Sequence, residues 1–433
     1  MKRVEMDSSG ARHLISPMPG VNRAAGVEPG ARRPIVYNSL DWRRDMTHAW
    51  RRLGLTFAAV AFLAAALAAS DAGWKWTGSY GDKAVTMLVI GDIDIQLRAD
   101  PTSAFVHIGD TLKSADLVYA NLEGMLVKPQ GPEVDIPDKR GWRHPGPDGV
   151  RALRAWNVGV VGVANNVAYD RKNILETLKV LDANGIIHTG GGINIVEAHK
   201  PAIVERKGVK FGFLQYTARW YQDDEQIATA TEAGVAKITS RDGITVDPAD
   251  VDRVRDDIRR LRPQVDIVIV SHHNRDGATA TQFGGTSPPR SDGARRDNHI
   301  SEAYQKEFAH LALDAGADFV YGHGTHTVQG VEVYNGKPIL YAIGHSAFDQ
   351  PGYEKSKDGL VVRAVVQGKR IVRVSFVPVS RDANNDVMML DPNTDGAALV
   401  KVVQGLSPSV PLKTEGKEVV LVDGPPQISR RDF

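Results

Sequence analysis

His323 and His326 stand within four residues of each other in the stretch GADFVYGHGTHTVQG, residues 316–330. The apolar run that ends at Tyr321 reads as a buried strand, so both imidazoles fall on the turn that leaves it. A single histidine near a strand end is usually a surface or hydrogen-bonded residue. Two of them, on a turn loosened by Gly322 and Gly324, can point the same way, because glycine lets the backbone turn tightly. Imidazole is the commonest metal ligand near neutral pH. The pair therefore reads either as turn residues or as part of a metal or catalytic site.

Four other strand-like runs end in oxygen or nitrogen donors. VIGDID ends in Asp92 and Asp94, and YANLEG in Asn121 and Glu123. VANNVAYD carries Asn165, Asn166 and Asp170, and IVSHHN carries His272, His273 and Asn274. Asp and Asn favour loops, so any one of these could be an ordinary turn residue. In an open α/β sheet, however, ligands bind outside the carboxyl ends of the strands. Five donor clusters at such ends would meet on one rim.

Composition limits what that rim could hold. The chain has 433 residues, 53 basic and 52 acidic, and no cysteine. The near balance of charge argues against a nucleic-acid partner and against a polybasic membrane patch. Without cysteine there is no disulfide, thiolate site, cysteine nucleophile or lipoprotein anchor. A metal must be held by His, Asp, Glu or Asn, which favours Zn, Mn, Fe or Mg.

The elements that must position these residues alternate between short apolar runs and helical segments, the pattern of parallel βα units. AFVHIGDTLKSA, GPDGVRALRAWN, RKNILETLKVLDANG, DPADVDRVRDDIRRLRP and ISEAYQKEFAHLALDAGA read as helices. Hairpins are expected at Lys207-Gly208, Asn335-Gly336 and Gln367-Gly368. Residues 124–147 and 274–298 read as loops, the second long enough to be functional or mobile. The core domain is placed at 80–380, with 381–433 irregular. Residues 1–52 read as a disordered or untranslated extension, since Met46 makes a more ordinary start. Two arginines, an apolar run over 53–69 and then small residues have the layout of a secretory signal over 53–70, with an uncleaved membrane anchor as the alternative. Either way the mature domain lies outside the cytoplasm, periplasmic or anchored facing outward.

The ordered motifs GDID, NLEG, ANN…D, GGGINIVEA, SHHN, GADFVYGHGTH, VEVYNGKPILYAIG and FDQ resemble the CapA family of bacterial capsule or poly-γ-glutamate proteins over roughly residues 84–352. The resemblance implies a metallophosphatase-like α/β fold: a central β-sandwich flanked by helices, with one or two divalent metal ions (Mn, Zn or Fe) at its edge. Asp92, Glu123, Asn166, His273, His323 and His326 match the family's metal-ligand positions, and Asp94 could be a further ligand. A paired metal site would activate water and polarise the bond to be cut.

The chain departs from that pattern at three places. Where the family has Asn-Asn-His followed by an Asp, the histidine is Val167, while Asp170 remains as a candidate catalytic residue. His-Trp-Gly is replaced by His273-Asn274-Arg275, and Gly-Asn-Phe by Gly344-His345-Ser346. In metallophosphatases the missing histidine is the usual proton donor, and losing a positioned acid costs roughly 10²- to 10⁴-fold. His345 could replace it from another strand end. Asn165 and Arg275 are candidate substrate-binding residues, and Arg275, Arg290, Arg295 and Arg296 could hold an anionic chain. The resulting expectation is an exported, metal-dependent hydrolase acting on an envelope polymer such as poly-γ-glutamate, or on a phosphoester, with possible membrane association through residues 53–69. A non-catalytic polymer-binding or assembly component, and a small-molecule phosphoesterase, are the alternatives.

Overall fold

Every second residue of the strand Val85–Asp94 belongs to a different core. Val85, Met87 and Val89 pack into one apolar cluster, Leu88 and Ile90 into another. Side chains alternate across a strand, so a run that is apolar throughout requires cover on both faces. That requirement generates the architecture. In the computed structural model, which describes residues 74–96, 98–136, 139, 141–220, 223–240, 243–274, 301–350 and 357–423, two sheets face each other and helices cover their outer faces. The described residues all belong to one compact unit, Ala68–Phe433.

The first sheet runs β17 (Lys413–Glu415), β18 (Glu418–Asp423), β15 (Arg370–Arg381), β14 (Gly359–Gln367), β1 (Val85–Asp94), β2 (Leu117–Leu122), β3 (Val158–Gly162) and β4 (Ile187–Thr189). Two short strands join off this path, β13 (His345–Phe348) beside β1 and β16 (Val387–Met389) beside β15. The second sheet runs β11 (Val331–Tyr334), β12 (Lys337–Leu340), β10 (Phe319–His323), β9 (Ile267–His273), β7 (Val209–Thr217) and β6 (Ala202–Arg206). A two-stranded ribbon, β5 (Gly191–Gly192) with β8 (Gly234–Val235), lies apart.

Between the sheets, Met87, Val89, Tyr119 and Val160 pack against Phe211, Phe213, Ile269, Phe319 and Tyr321. Burying each such side chain is worth roughly 1.5–3 kcal/mol. Tyr119 places its hydroxyl 2.7 Å from Ser271 Oγ across the gap. The outer face of the first sheet is covered by α1 (Gly109–Ser114), α2 (Val150–Ala155) and α3 (Arg171–Ala183), through Leu112, Leu153, Leu178 and Leu181. The outer face of the second is covered by α6 (Pro248–Leu261) and α7 (Ala303–Ala315), through Val254, Ile258, Leu261, Phe308 and Ala312. Short helices α4 (Ile195–Ala198) and α5 (Asp223–Gln226) lie in the connections, and α8 (Ala397–Leu406) follows the last hairpin. The expected α/β sandwich flanked by helices is the observed fold.

Three local readings are corrected. The helix expected over AFVHIGDTLKSA is broken into a 3-10 turn, Pro101–Phe105, and the short α1, with Ile108 between them out of helical geometry at φ -121°, ψ 4°. The third hairpin turns one residue later than expected, on Gly368-Lys369, with Gln367 paired to Arg370. The segment after residue 381 is not irregular: β16, α8, β17 and β18 are built from it. Its order is tertiary in origin. β18 completes the ladder of β15, and the buried Glu418 carboxylate accepts from Arg363 at 2.9 Å and from Ser375. The apolar run 53–69 and residues 275–298 of the stretch expected as a loop lie outside the described residues. Among the described residues no helix is long and apolar enough to cross a membrane.

Candidate metal centre

The parallel registers carry the donors to one place. β1 and β2 align Asp92 with Asn121, β9 and β10 align His273 with His323, and β1 and β13 align Asp92 with His345. The last pairing depends on Gly91: a Cβ there would lie 2.1 Å from the Gly344 carbonyl, so no other residue lets β13 approach β1 so closely. The turn after β10 depends on Gly324, which sits at φ +88° with a would-be Cβ 2.8 Å from His273 Nε2. His326 itself takes φ +60°, a conformation that costs roughly 1–3 kcal/mol and is held by its surroundings. It turns the imidazole back toward Asp92 and Glu123.

Asp92 lies at the centre. Its Oδ1 accepts from Asn121 Nδ2 at 2.8 Å and lies 3.3 Å from His323 Nδ1. Its Oδ2 accepts from the Gly324 amide at 3.1 Å and lies 3.5 Å from His326 Nδ1. His326 Nε2 is 3.6 Å from Glu123 Oε1. His273 Nδ1 is 3.1 Å from His323 Nδ1, and its Nε2 is 2.7 Å from Asn166 Oδ1. Two groups of donors can each converge on a point, Asp92 with His273 and His323, and Asp92 with His326 and His345. Asp92 is common to both.

These residues fit divalent metal ions. Ligands bound at about 2.1 Å in a tetrahedral shell stand roughly 3.4 Å apart, and Asp92 lies 3.3 Å from His323 and 3.5 Å from His326. Both oxygens of Glu123, and Asp94 Oδ1, are buried without a hydrogen-bond donor among the described residues, a costly arrangement unless something positive completes it. Burial, followed by the charge of Asp92, pushes Glu123 well above the ordinary carboxylate range. Burial likewise raises Asp94, against the hydrogen bond from Gln96. Burial opposes ionisation of Asp92 too, but the His323 and His326 imidazoles outweigh it and hold Asp92 well below that range. Burial lowers His273 and His326, which keeps both imidazoles neutral and competent as ligands.

The structure thus brings together Asp92, Glu123, Asn166, His273, His323, His326 and His345. Asp94 sits at the edge of the cluster, tied by Gln96. Two candidates have other tasks. Asp170 caps α3, its Oδ1 accepting from the amides of Lys172 and Asn173, and has no hydrogen bond or ion pair to the cluster among the described residues. Asn165 uses both ends of its amide: Nδ2 donates to the Leu122 carbonyl at 2.7 Å and to Asn121 Oδ1 at 3.3 Å, and Oδ1 accepts from Val167 and Ala168. An amide so occupied has nothing left for a substrate. Arg275 lies outside the described residues.

Val167, at the position of the family histidine, is fully buried in an apolar cluster with Met125, Trp142 and Phe348. His345 stacks on that same Phe348, ring centroids 4.1 Å apart, and lies 4.5 Å from the His326 ring. Gln215 was missed in the sequence. Its Nε2 lies 2.9 Å from both Asn121 Oδ1 and His323 Nε2, and its Oε1 accepts from the Ala164 amide at 3.0 Å. The signal was one amide inside the otherwise apolar run FGFLQY. Lys139 and Arg219 contribute positive potential: Lys139 acts on Asp94, Glu123 and His326, and Arg219 on His273 and His326.

A two-sheet α/β sandwich with a cysteine-free His, Asp, Asn and Glu cluster at its strand ends defines a metallophosphatase-like protein. Residues 75–283 and 292–350 match the family described as bacterial capsule synthesis protein PGA_cap, more than half of the chain, and the protein belongs to that family. It is similar to the PGA biosynthesis protein CapA of Bacillus subtilis, at 24% identity over 311 residues, 70% of this chain and 73% of that one. The capsule biosynthesis protein CapA of Bacillus anthracis is 23% identical over 68% of this chain and 67% of its own length. A probable polyglutamine synthesis accessory protein of Mycobacterium tuberculosis is 31% identical over 48% of this chain and 49% of its own.

Proposed function

We propose that this protein is an exported, metal-dependent hydrolase acting on a capsule or envelope polymer such as poly-γ-glutamate. The observation that carries the reading is the sharing of Asp92 between two converging donor groups, one with His273 and His323, the other with His326 and His345. Asn166 and Glu123 would complete the shells. Bound divalent ions supply Lewis-acid polarisation of the scissile bond and activation of water.

The chain's own residues do the rest. Asn121 and Gln215 hold Asp92 and His323 in place. Lys139 and Arg219 set a positive potential suited to an anionic substrate. Where Glu123 takes its place beside Asp92 and His326 as ligand, His345 can serve as the proton donor in place of the histidine that Val167 replaces, and the apolar wall of Val167, Trp142 and Phe348 excludes water from that side. Export through residues 53–70 places the domain where an envelope polymer is found, with membrane association if that segment is retained.

The test is hydrolysis by untagged protein loaded with Mn or Zn, assayed on poly-γ-glutamate and on a generic phosphodiester beside a His323→Ala/His326→Ala variant. Metal-dependent cleavage of either substrate, lost in the variant, supports a hydrolase and shows which bond is cut. Metal binding without cleavage of either would favour the second reading, a polymer-binding or assembly component, which the burial of Val167 in an apolar cluster already favours.

A further inference from the structure

Successive residues of β7 face opposite ways. Gln215 reaches the metal cluster, and Tyr216 reaches the outer face of the second sheet. There Tyr216 donates to Asp257 Oδ2 at 2.9 Å, and the same oxygen lies 2.6 Å from His199 Nδ1. A carboxylate on Nδ1 fixes the imidazole and leaves Nε2 pointing away from it. The His199 side chain is only 8% exposed, and no hydrogen bond to Nε2 is found among the described residues. His199 lines two adjoining grooves of about 530 and 220 Å³, and Ile195 and Arg253 line both of them too.

Arg253 lies one turn before Asp257 on α6, so the two side chains share a face. Among the described residues it has no hydrogen bond and no ion pair, although carboxylates surround it. Each of those is engaged elsewhere. Asp257 holds His199, Tyr216 and Arg260. Asp250 accepts from the Thr239 amide and pairs with Lys237, Asp247 caps α6, and Glu197 pairs with Lys200. A half-buried guanidinium and an oriented ring nitrogen thus converge on a groove whose wall is apolar, with Ile195, Leu261 and Val196, the last 72% exposed.

We infer that this pocket, formed by His199, Arg253 and Asp257, is a second binding site, for a carboxylate carried on a short alkyl stem. The guanidinium fork matches the two oxygens of a carboxylate. The stem lies on Ile195 and Val196. The surrounding aspartates disfavour a dianion such as phosphate. The site is independent of the metal reading, because no residue is common to the two.

The experiment is calorimetric titration of the full chain with butyrate, with inorganic phosphate and with poly-γ-glutamate, in wild type, Arg253→Gln, His199→Gln and His323→Ala/His326→Ala. Saturable butyrate binding is expected, weakened at least about 10-fold by Arg253→Gln and by His199→Gln, and unchanged in the metal-cluster variant. Arg253→Gln removes no intramolecular bond, so its melting temperature should equal that of wild type. If poly-γ-glutamate binds more tightly per chain than butyrate with the same dependence on Arg253, the natural source is a polymer. If butyrate binds and the polymer does not, it is a free small acid. Absence of saturable butyrate binding, indifference to Arg253→Gln, or phosphate binding as tightly as butyrate would each overturn the assignment.

Discussion

The Nδ1 atoms of His273 and His323 lie 3.1 Å apart, at paired positions of the parallel strands β9 and β10. Two such nitrogens cannot both carry protons at that distance, so at least one presents a lone pair. Asp92, 3.3 Å from His323 Nδ1, is the anion they share. A divalent cation bound beside Asp92 would take up the lone pairs of both imidazoles, and the metal-binding predictions below test for it.

Asp92 joins both donor groups, so Asp92→Asn should abolish metal binding altogether. His273→Ala should remove one group and leave the other. Titration with Mn or Zn, followed by calorimetry, should give no high-affinity site in the first variant and reduced stoichiometry in the second. Equal behaviour of the two variants would show that Asp92 is not shared.

His345 is close enough to Asp92 and His326 to serve as ligand or as proton donor, and one variant separates the roles. As a donor, His345→Ala lowers turnover by roughly 10²- to 10⁴-fold with metal content unchanged. As a ligand, it lowers metal content too. Turnover and metal content both unchanged would remove His345 from the site.

Gly324→Ala places a Cβ 2.8 Å from the His273 ring at φ +88°. The strain should cost about 1–3 kcal/mol and displace a ligand, so both the melting temperature and the metal affinity should fall. A variant of wild-type stability would mean that the turn adapts freely.

His144 is buried beneath the loop that follows β2. Its Nδ1 accepts from the Met125 amide at 3.2 Å and its Nε2 donates to the Val134 carbonyl at 3.0 Å, which fixes the neutral tautomer. Burial lowers it to about 4 from an ordinary 6.5. The unfolded chain therefore takes up a proton first as pH falls. Stability contributed by neutral His144 is present above about pH 6.5 and is lost between there and about pH 4, up to about 3 kcal/mol. Denaturant unfolding across that window should be less steep in pH for His144→Gln than for wild type. Parallel curves would contradict this.

The sequence made the inner strands and the clustering of donors at their ends legible for one physical reason: both follow from local pattern. Apolar runs that end in donors place ligands at strand ends, and Asn335-Gly336 specifies its own hairpin. What escaped depends on distant partners. Gln215 escaped because its partner His323 lies 108 residues away. The segment ending in Glu418 looked irregular because its partner Arg363 is 55 residues earlier. Asp170 and Asn165 pose the opposite problem: Asp and Asn cap helices and fix loops as readily as they bind ligands, and only the hydrogen bonds tell the uses apart.

The central claim is that His323 and His326 share a turn because both serve one metal centre. Its most direct test is metal content, by mass spectrometry, of untagged protein purified without chelators, beside the His323→Ala/His326→Ala variant. About one or two divalent ions per chain in wild type, and none in the variant, is the predicted result. No metal in either protein, even after addition of Mn and Zn, would contradict it.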